Sequence, residues 1–421
     1  MGRGSLLGLL VGVVLAGALA AGVMATLGRE ASNDGIPSLD PTEAPANVGS
    51  TLPNAPGDDP TSADGAVAPD GRLNLRPEGA PKPLVGEQDI REGGPRPDGI
   101  PPIDEPHFTP ASEVQFLSDR EPVLAVTIGE DTRAYPLQIM LWHEIVNDTV
   151  GEVPVSVTYC PLCNSAFVWE RTVGDRVLSF GTSGKLYNSS LVAYDRQTRS
   201  LWAHFTGEAV AGELTGSNLT ARPSAIVSWG AFRSAHPDAP VLNRTTGATR
   251  DYGSSPYPGY DDVNAPPFLF DGETDDRLAA KERVLGVSDP RDGAAVAITF
   301  AELQSKRVVP FEVGDRPLVA LFSPGTTSAL DAEELRDGRD VGAVNVIDPT
   351  IGGLGYEFVA EGDQAFVGTP ADGSGAPVTI DVLGRPTDGA EGPSYPTVTH
   401  VDTFWFAWAV FQPDTELIGA G

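Results

Sequence analysis

Positive charge is scarce in this chain of 421 residues. Lys and Arg total 28 against 58 Asp and Glu, a formal net charge of -30, and only Lys82, Lys185, Lys281 and Lys306 are lysines. So acidic a surface would repel a phosphate backbone rather than neutralise it, which excludes nucleic acid as a partner. Excess acid with little lysine suits a salt-rich medium, where screening removes self-repulsion, so a halophilic source is the expectation. Cysteine is scarcer still. Cys160 and Cys163 are the only two, which rules out a disulfide framework and leaves one disulfide, a metal site or a redox pair. Long apolar runs are absent except at the start, where Leu6 to Leu27 gives 22 residues without a charge, preceded by Arg3. That run is long enough to span a bilayer as a helix. It predicts an N-terminal membrane anchor over residues 1–30, with the folded part extracellular. Ala18-Leu19-Ala20 offers the alternative of a cleaved signal and a secreted protein.

Residues 31–105 lack aromatics and any sustained period of 2 or 3.6, and they are rich in Pro, Gly, Asp, Ala and Ser. Such a stretch has too little apolar area to offset ordering entropy, and reads as a disordered acidic tether. Beyond it, strands dominate. Pro122 to Ile128 and Val153 to Tyr159 read as strands, the second delivering Cys160, and Leu137 to Ile145 as a short helix. Phe167 to Trp169 and Val177 to Phe180 predict a hairpin around Gly174-Asp175. Phe404, Trp405, Trp408 and Phe411 mark the apolar face of a helix.

The second half of the chain echoes the first. A shift of 163 carries Ala134 to Ala297, Val150-Gly151 to Val313-Gly314, and Tyr159-Cys160-Pro161 to Phe322-Ser323-Pro324. A shift of 176 carries Trp229 to Trp405 and Pro237-Asp238 to Pro413-Asp414. The expected architecture is mainly β with short helices (α+β), as two degenerate repeat units packed together over 106–270 and 271–421. The reactive residues do not repeat: His143-Glu144 falls on Lys306-Arg307, and Cys160 and Cys163 fall on Ser323 and Thr326.

That contrast selects the candidate site. Read as metal-binding, the two thiolates need one or two more donors; His143 is the leading choice, with His204 next, and soft S and N donors favour copper or zinc. Read as redox, Cys160 is the attacking thiolate, its acidity raised by the turn and by a helix start beyond it. Read as structural, a disulfide staples a very small loop, which restrains little chain. Glu144, Asn147, Tyr159, Ser183, Lys185 and Asn188 are the expected lining. Gly181-Thr182-Ser183-Gly184-Lys185 lacks the spacing of a phosphate loop and reads instead as a tight hairpin loop beside the site. The partners implied are the membrane and a redox or metal-transfer partner.

Tyr135-Pro136, the run His143-Glu144-Ile145-Val146-Asn147-Asp148, Thr158-Tyr159-Cys160-Pro161-Leu162-Cys163, the run Phe180 to Leu186, Tyr194-Asp195-Arg196 and Ser200-Leu201-Trp202 resemble, in combination, the family catalogued as domain of unknown function 3179. Phe404-Trp405-Phe406-Ala407-Trp408, with Phe411 and Pro413-Asp414-Thr415, looks like the end of the same family. The resemblance implies an exported, often membrane-anchored protein of bacteria and archaea, and brings no catalytic roles.

Overall fold

The computed structural model describes residue 73, residues 79–387 and residues 394–419. The anchor expected over 1–30 lies outside them, and among the described residues no helix is long and apolar enough to cross a membrane. The chain is mainly β: among the described residues the four α-helices have seven residues each.

The first copy opens with β1 (Pro122–Ile128) and β2 (Asp131–Pro136) as an antiparallel pair, then α1 (Leu137–His143). β3 (Ile145–Val150), β4 (Val153–Cys160) and β5 (Ser165–Glu170) follow as a second antiparallel sheet. An added sheet contains β6 (Phe180–Tyr187) and β7 (Ser190–Asp195). The copy closes with β8 (Ser224–Ser228) beside β1, then α2 (Trp229–Ala235), then β9 (Pro240–Leu242), which runs parallel to β2.

The second copy repeats this order: β10 (Arg283–Ser288), β11 (Ala295–Thr299), α3 (Phe300–Lys306), β12 (Val308–Val313), β13 (Arg316–Ser323) and β14 (Ala343–Ile347). It closes with β15 (Val401–Phe404), α4 (Trp405–Phe411) and β16 (Glu416–Ile418). A shift of 163 lays α1 on α3, β3 on β12 and β4 on β13 with identical ends. A shift of 176 does the same for α2 on α4 and β9 on β16. The parallel bridges correspond too, Val241 to Ala134 and Leu417 to Ala297.

The end of α1 is set by one residue. Glu144 takes a left-handed φ of 58°, and its counterpart Arg307 takes 66°. Such a conformation is costly for any residue with a Cβ. In both copies the same backbone bond accompanies it: Tyr159 N–H donates to Glu144 O and Phe322 N–H to Arg307 O, each at 2.8 Å. The chain therefore reverses from helix into strand at one point and is pinned across to the next strand.

Two expectations need correction. The tether was expected to reach residue 105, yet its last part joins the folded unit: Ile90–Glu92 pairs with Lys185–Tyr187 of β6, and Ile103 is buried and bridges to Val146. The hairpin expected between Phe167 and Phe180 is smaller than expected, Thr172–Val173 against Arg176–Val177, while β5 and β6 extend beyond it into separate sheets.

One continuous apolar cluster draws on both copies, with Tyr135, Met140, Cys160 and Cys163 from the first and Val284, Ala297 and Trp405 from the second. Trp405 is fully buried, its indole N–H donates to Asp275 O at 2.9 Å, and the Arg277 guanidinium lies 5.0 Å from the ring centroid. Trp405→Ala should cost about 3–5 kcal/mol in denaturant unfolding. A loss below about 1 kcal/mol would show that α4 is not part of the cooperative core.

Candidate dithiol site

Cys160 ends β4 and Ser165, its cross-strand partner, begins β5, so the four residues between them make the hairpin turn. Cys163 N–H reaches Cys160 O at 3.3 Å and Asn164 N–H reaches Pro161 O at 3.2 Å; Asn164 then takes φ 51°. The turn thus leads into a strand, where a helix start was expected. Both cysteines are unbonded to each other and buried, at 2% and 0% exposure.

Burial alone would raise both thiols, but the pair divides. At Cys160 burial is opposed by the Cys163 S–H and by the backbone N–H groups of Leu191, Cys163 and Leu162, and these donors hold the thiol below its usual range. The Leu191 N–H lies 3.4 Å from the sulfur. Cys163 is pushed well up by burial, by donating to Cys160, and by the charge there. Ser165 and Ser190 stand beside the Cys163 sulfur. Their hydroxyls and that of Ser189 are buried and have no oxygen or nitrogen partner. The two thiols are therefore unequal, Cys160 lowered and Cys163 raised, and the Cys163 thiol also lies 3.7 Å from Ser189 O as a donor.

Three side chains hold the turn. Tyr159 OH donates to Asn164 Oδ1 at 3.1 Å, Tyr260 OH donates to Leu162 O at 3.1 Å, and Thr403 Oγ1 donates to Cys163 O at 2.9 Å. Tyr260 and Tyr257 come from residues 243–282, a stretch with no helix or strand. Buried Asp261 anchors that stretch to Arg283 at 3.1 Å and Arg339 at 2.7 Å. Burial first, and the charge of Cys160 second, push the Glu144 carboxyl up to about 8.

The expected ligands are not brought to one point. His143 Nδ1–H donates to Pro101 O at 2.6 Å, so Nε2 is the acceptor for Tyr252 OH, also at 2.6 Å. Burial lowers its pKa to about 4. His204 is buried edge-on to Phe167, ring centroids 5.1 Å apart, with neither ring nitrogen partnered. Among the described residues no group of three or more His, Cys, Asp and Glu is placed to hold a metal ion.

Of the expected lining, Tyr159 touches the turn and Glu144 lies within electrostatic reach of Cys160. Asn147 instead ties β3 to β6, donating to Phe180 O at 2.8 Å and accepting from Phe180 N–H at 2.9 Å. Ser183 and Lys185 are not in a loop. They belong to β6 at a register shift, Ser183 bonding Val192 O and Lys185 pairing with Glu92. The real hairpin turn is Asn188-Ser189, with φ of 50° and 64°, the pattern of a two-residue type I′ connection. Tyr257, Tyr260, Ser165, Ser190 and Thr403 were not singled out beforehand. A signal existed for the tyrosines: Tyr252, Tyr257 and Tyr260 are three of the nine in the chain.

The fold and the turn thus define a mainly β protein of two related copies, one of which carries a buried dithiol. A family model described as "Protein of unknown function (DUF3179)" matches residues 97–415, and the chain belongs to that family. No curated protein and no solved structure matches it.

Two measurements follow. A carboxyl whose folded pKa of about 8 exceeds its ordinary 4.5 keeps a proton that the unfolded chain releases. Its contribution is intact below the ordinary value and declines as pH rises toward 8. Glu144→Gln should therefore gain stability over wild type between pH 5 and pH 9, on the order of 2–4 kcal/mol. A pH-independent difference would refute the burial of that carboxyl. Separately, titrating ultraviolet thiolate absorbance should reveal one thiolate below the ordinary cysteine range. That signal should vanish in Cys160→Ala and move to higher pH in Cys163→Ala; equal titration of both thiols would contradict the asymmetry.

Proposed function

We propose that Cys160 and Cys163 form a redox-active pair that exchanges with a disulfide-bearing partner on the outer side of the membrane. The observation that carries the reading is the unequal treatment of two neighbouring, unbonded sulfurs. Fixed N–H donors favour the thiolate at Cys160, while Cys163 keeps its proton. A thiolate with donors already in place is the nucleophile that exchange needs. Cys160 S⁻ attacks one sulfur of the partner disulfide, forming a mixed disulfide and expelling a partner thiolate. Cys163 gives its proton to that thiolate and attacks the Cys160 sulfur. The Cys160–Cys163 bond forms and the second partner thiolate leaves, taking a proton from water. In this direction the partner gains two electrons and the pair loses two; in reverse the Cys160–Cys163 disulfide takes two electrons from a partner dithiol, the direction that a stabilised reduced pair favours.

The site is covered by Tyr257 and Tyr260, so exchange requires residues 243–282 to move aside, past the partly exposed Leu162. The outer location rests on the uncharged run from Leu6 to Leu27. A metal-handling role is the second reading. Two sulfurs without a convergent third donor suit a soft two-coordinate copper ion better than tetrahedral zinc.

Equilibrating the full chain in thiol–disulfide buffers and counting free thiols by mass tests the choice. We expect a reversible Cys160–Cys163 disulfide with a potential above about -200 mV. A potential below about -300 mV would mark a structural staple instead. Copper or zinc bound one per chain, and lost in Cys160→Ser, would move the assignment to metal handling.

A further inference from the structure

We infer that Thr403 of the second copy, which has no cysteines of its own, and Tyr260 of the stretch leading into it are positioning residues that clamp the turn and set the reactivity of the dithiol; this rests on the redox reading above. The support comes from comparing the two copies position by position. Thr403 sits on β15, and its counterpart on β8 is Val227; both are fully buried. The strand itself therefore tolerates an apolar side chain there. Only at position 403 does a hydroxyl occur, and it donates to Cys163 O across 240 residues of sequence. The Phe404 N–H reaches the same carbonyl at 3.0 Å. In the second copy the equivalent carbonyl, that of Thr326, is served locally instead, by Val341 N–H at 2.9 Å.

The same contrast holds inside the hairpin. Tyr159 corresponds to Phe322, so the phenol that grips Asn164 is present only in the copy with the sulfurs. The Tyr159 hydroxyl belongs to the copy that carries the cysteines and the Thr403 hydroxyl reaches them from the other copy, while their counterparts Phe322 and Val227 have no hydroxyl. Tyr260 adds the third hold, and its hydroxyl is fixed in turn by Phe268 N–H at 3.2 Å.

The mechanical consequence is direct. Leu162 C=O and Cys163 N–H belong to one planar trans peptide and point in opposite directions. Tyr260 holds the carbonyl outward, which turns the Cys163 N–H inward, toward the residue whose sulfur and carbonyl it serves. Thr403 and Phe404 fix the next peptide in the same way. These bonds stabilise the reduced pair, and a stabilised reduced form makes the disulfide a stronger oxidant.

The test uses the full chain carrying Tyr260→Phe, Thr403→Val, Thr403→Ser or the control Val227→Thr. The first two should shift the dithiol–disulfide equilibrium about tenfold toward the disulfide, roughly 30 mV more negative. They should also slow alkylation of Cys160 by iodoacetamide several-fold. Thr403→Ser and Val227→Thr should match wild type. If Tyr260→Phe and Thr403→Val lower thermal stability yet leave both readouts within twofold, the residues are merely structural and the inference is wrong. If the wild-type pair forms no disulfide, the redox reading falls, and alkylation alone decides the clamp: slower in both variants supports it, unchanged overturns it.

Discussion

A charged sulfur cannot be kept in an apolar core unless fixed dipoles replace the water it has lost. That constraint organises this molecule. The donors around Cys160 are main-chain N–H groups, and main-chain groups point where the fold makes them point. Two come from the turn itself and one from the first residues of β7. The turn is therefore not free to relax: its carbonyls are held from outside by Tyr260, Thr403 and Phe404. The chemistry of one sulfur depends on three segments that are distant in sequence and meet in one cluster.

The internal duplication explains how such a site could be added to a scaffold without disturbing it. The α1–β3–β4 and α3–β12–β13 segments match end for end, including the left-handed reversal at Glu144 and Arg307 and the 2.8 Å bond that follows it. At the reversal, Arg307 spends its guanidinium on the backbone, with Nε donating to Phe322 O at 2.8 Å. Glu144 occupies the same backbone position and turns a carboxyl into the neighbourhood of Cys160. Ser323, in the place of Cys160, donates to Gln364 Oε1 at 2.9 Å and closes its own surroundings. One geometry thus carries a satisfied polar network in one copy and an acidic thiol in the other.

Much of the scaffold was legible in the sequence because it is periodic or repeated. The strand leading to Cys160, the apolar face around Trp405 and the register of the duplication follow from alternation, helical spacing and self-comparison. What failed depended on direction rather than periodicity. His143 is next to Glu144, but the reversal of the chain between them sends its ring to Pro101 and Tyr252. The Gly181 to Lys185 run resembles a loop by composition, and strand pairing with β7 and with Ile90–Glu92 overrides that tendency. Tyr257 and Tyr260 lie in a stretch without regular structure, where no local pattern points to the cysteines. Ile90–Glu92 is too short and too polar to stand out before its partner strand is known.

The bond from Thr403 to Cys163 also orders events in time. A chain synthesised from its N-terminus presents both thiols long before residues 403 and 404 exist to complete their surroundings. Closing a loop of that length is among the slower steps a β-rich chain can require. During the interval the cysteines lie open to any oxidant and to the thiols of neighbouring chains. Maturation of this protein is therefore bound to residues 403 and 404, and a chain that stops before them would leave its two sulfurs uncaged.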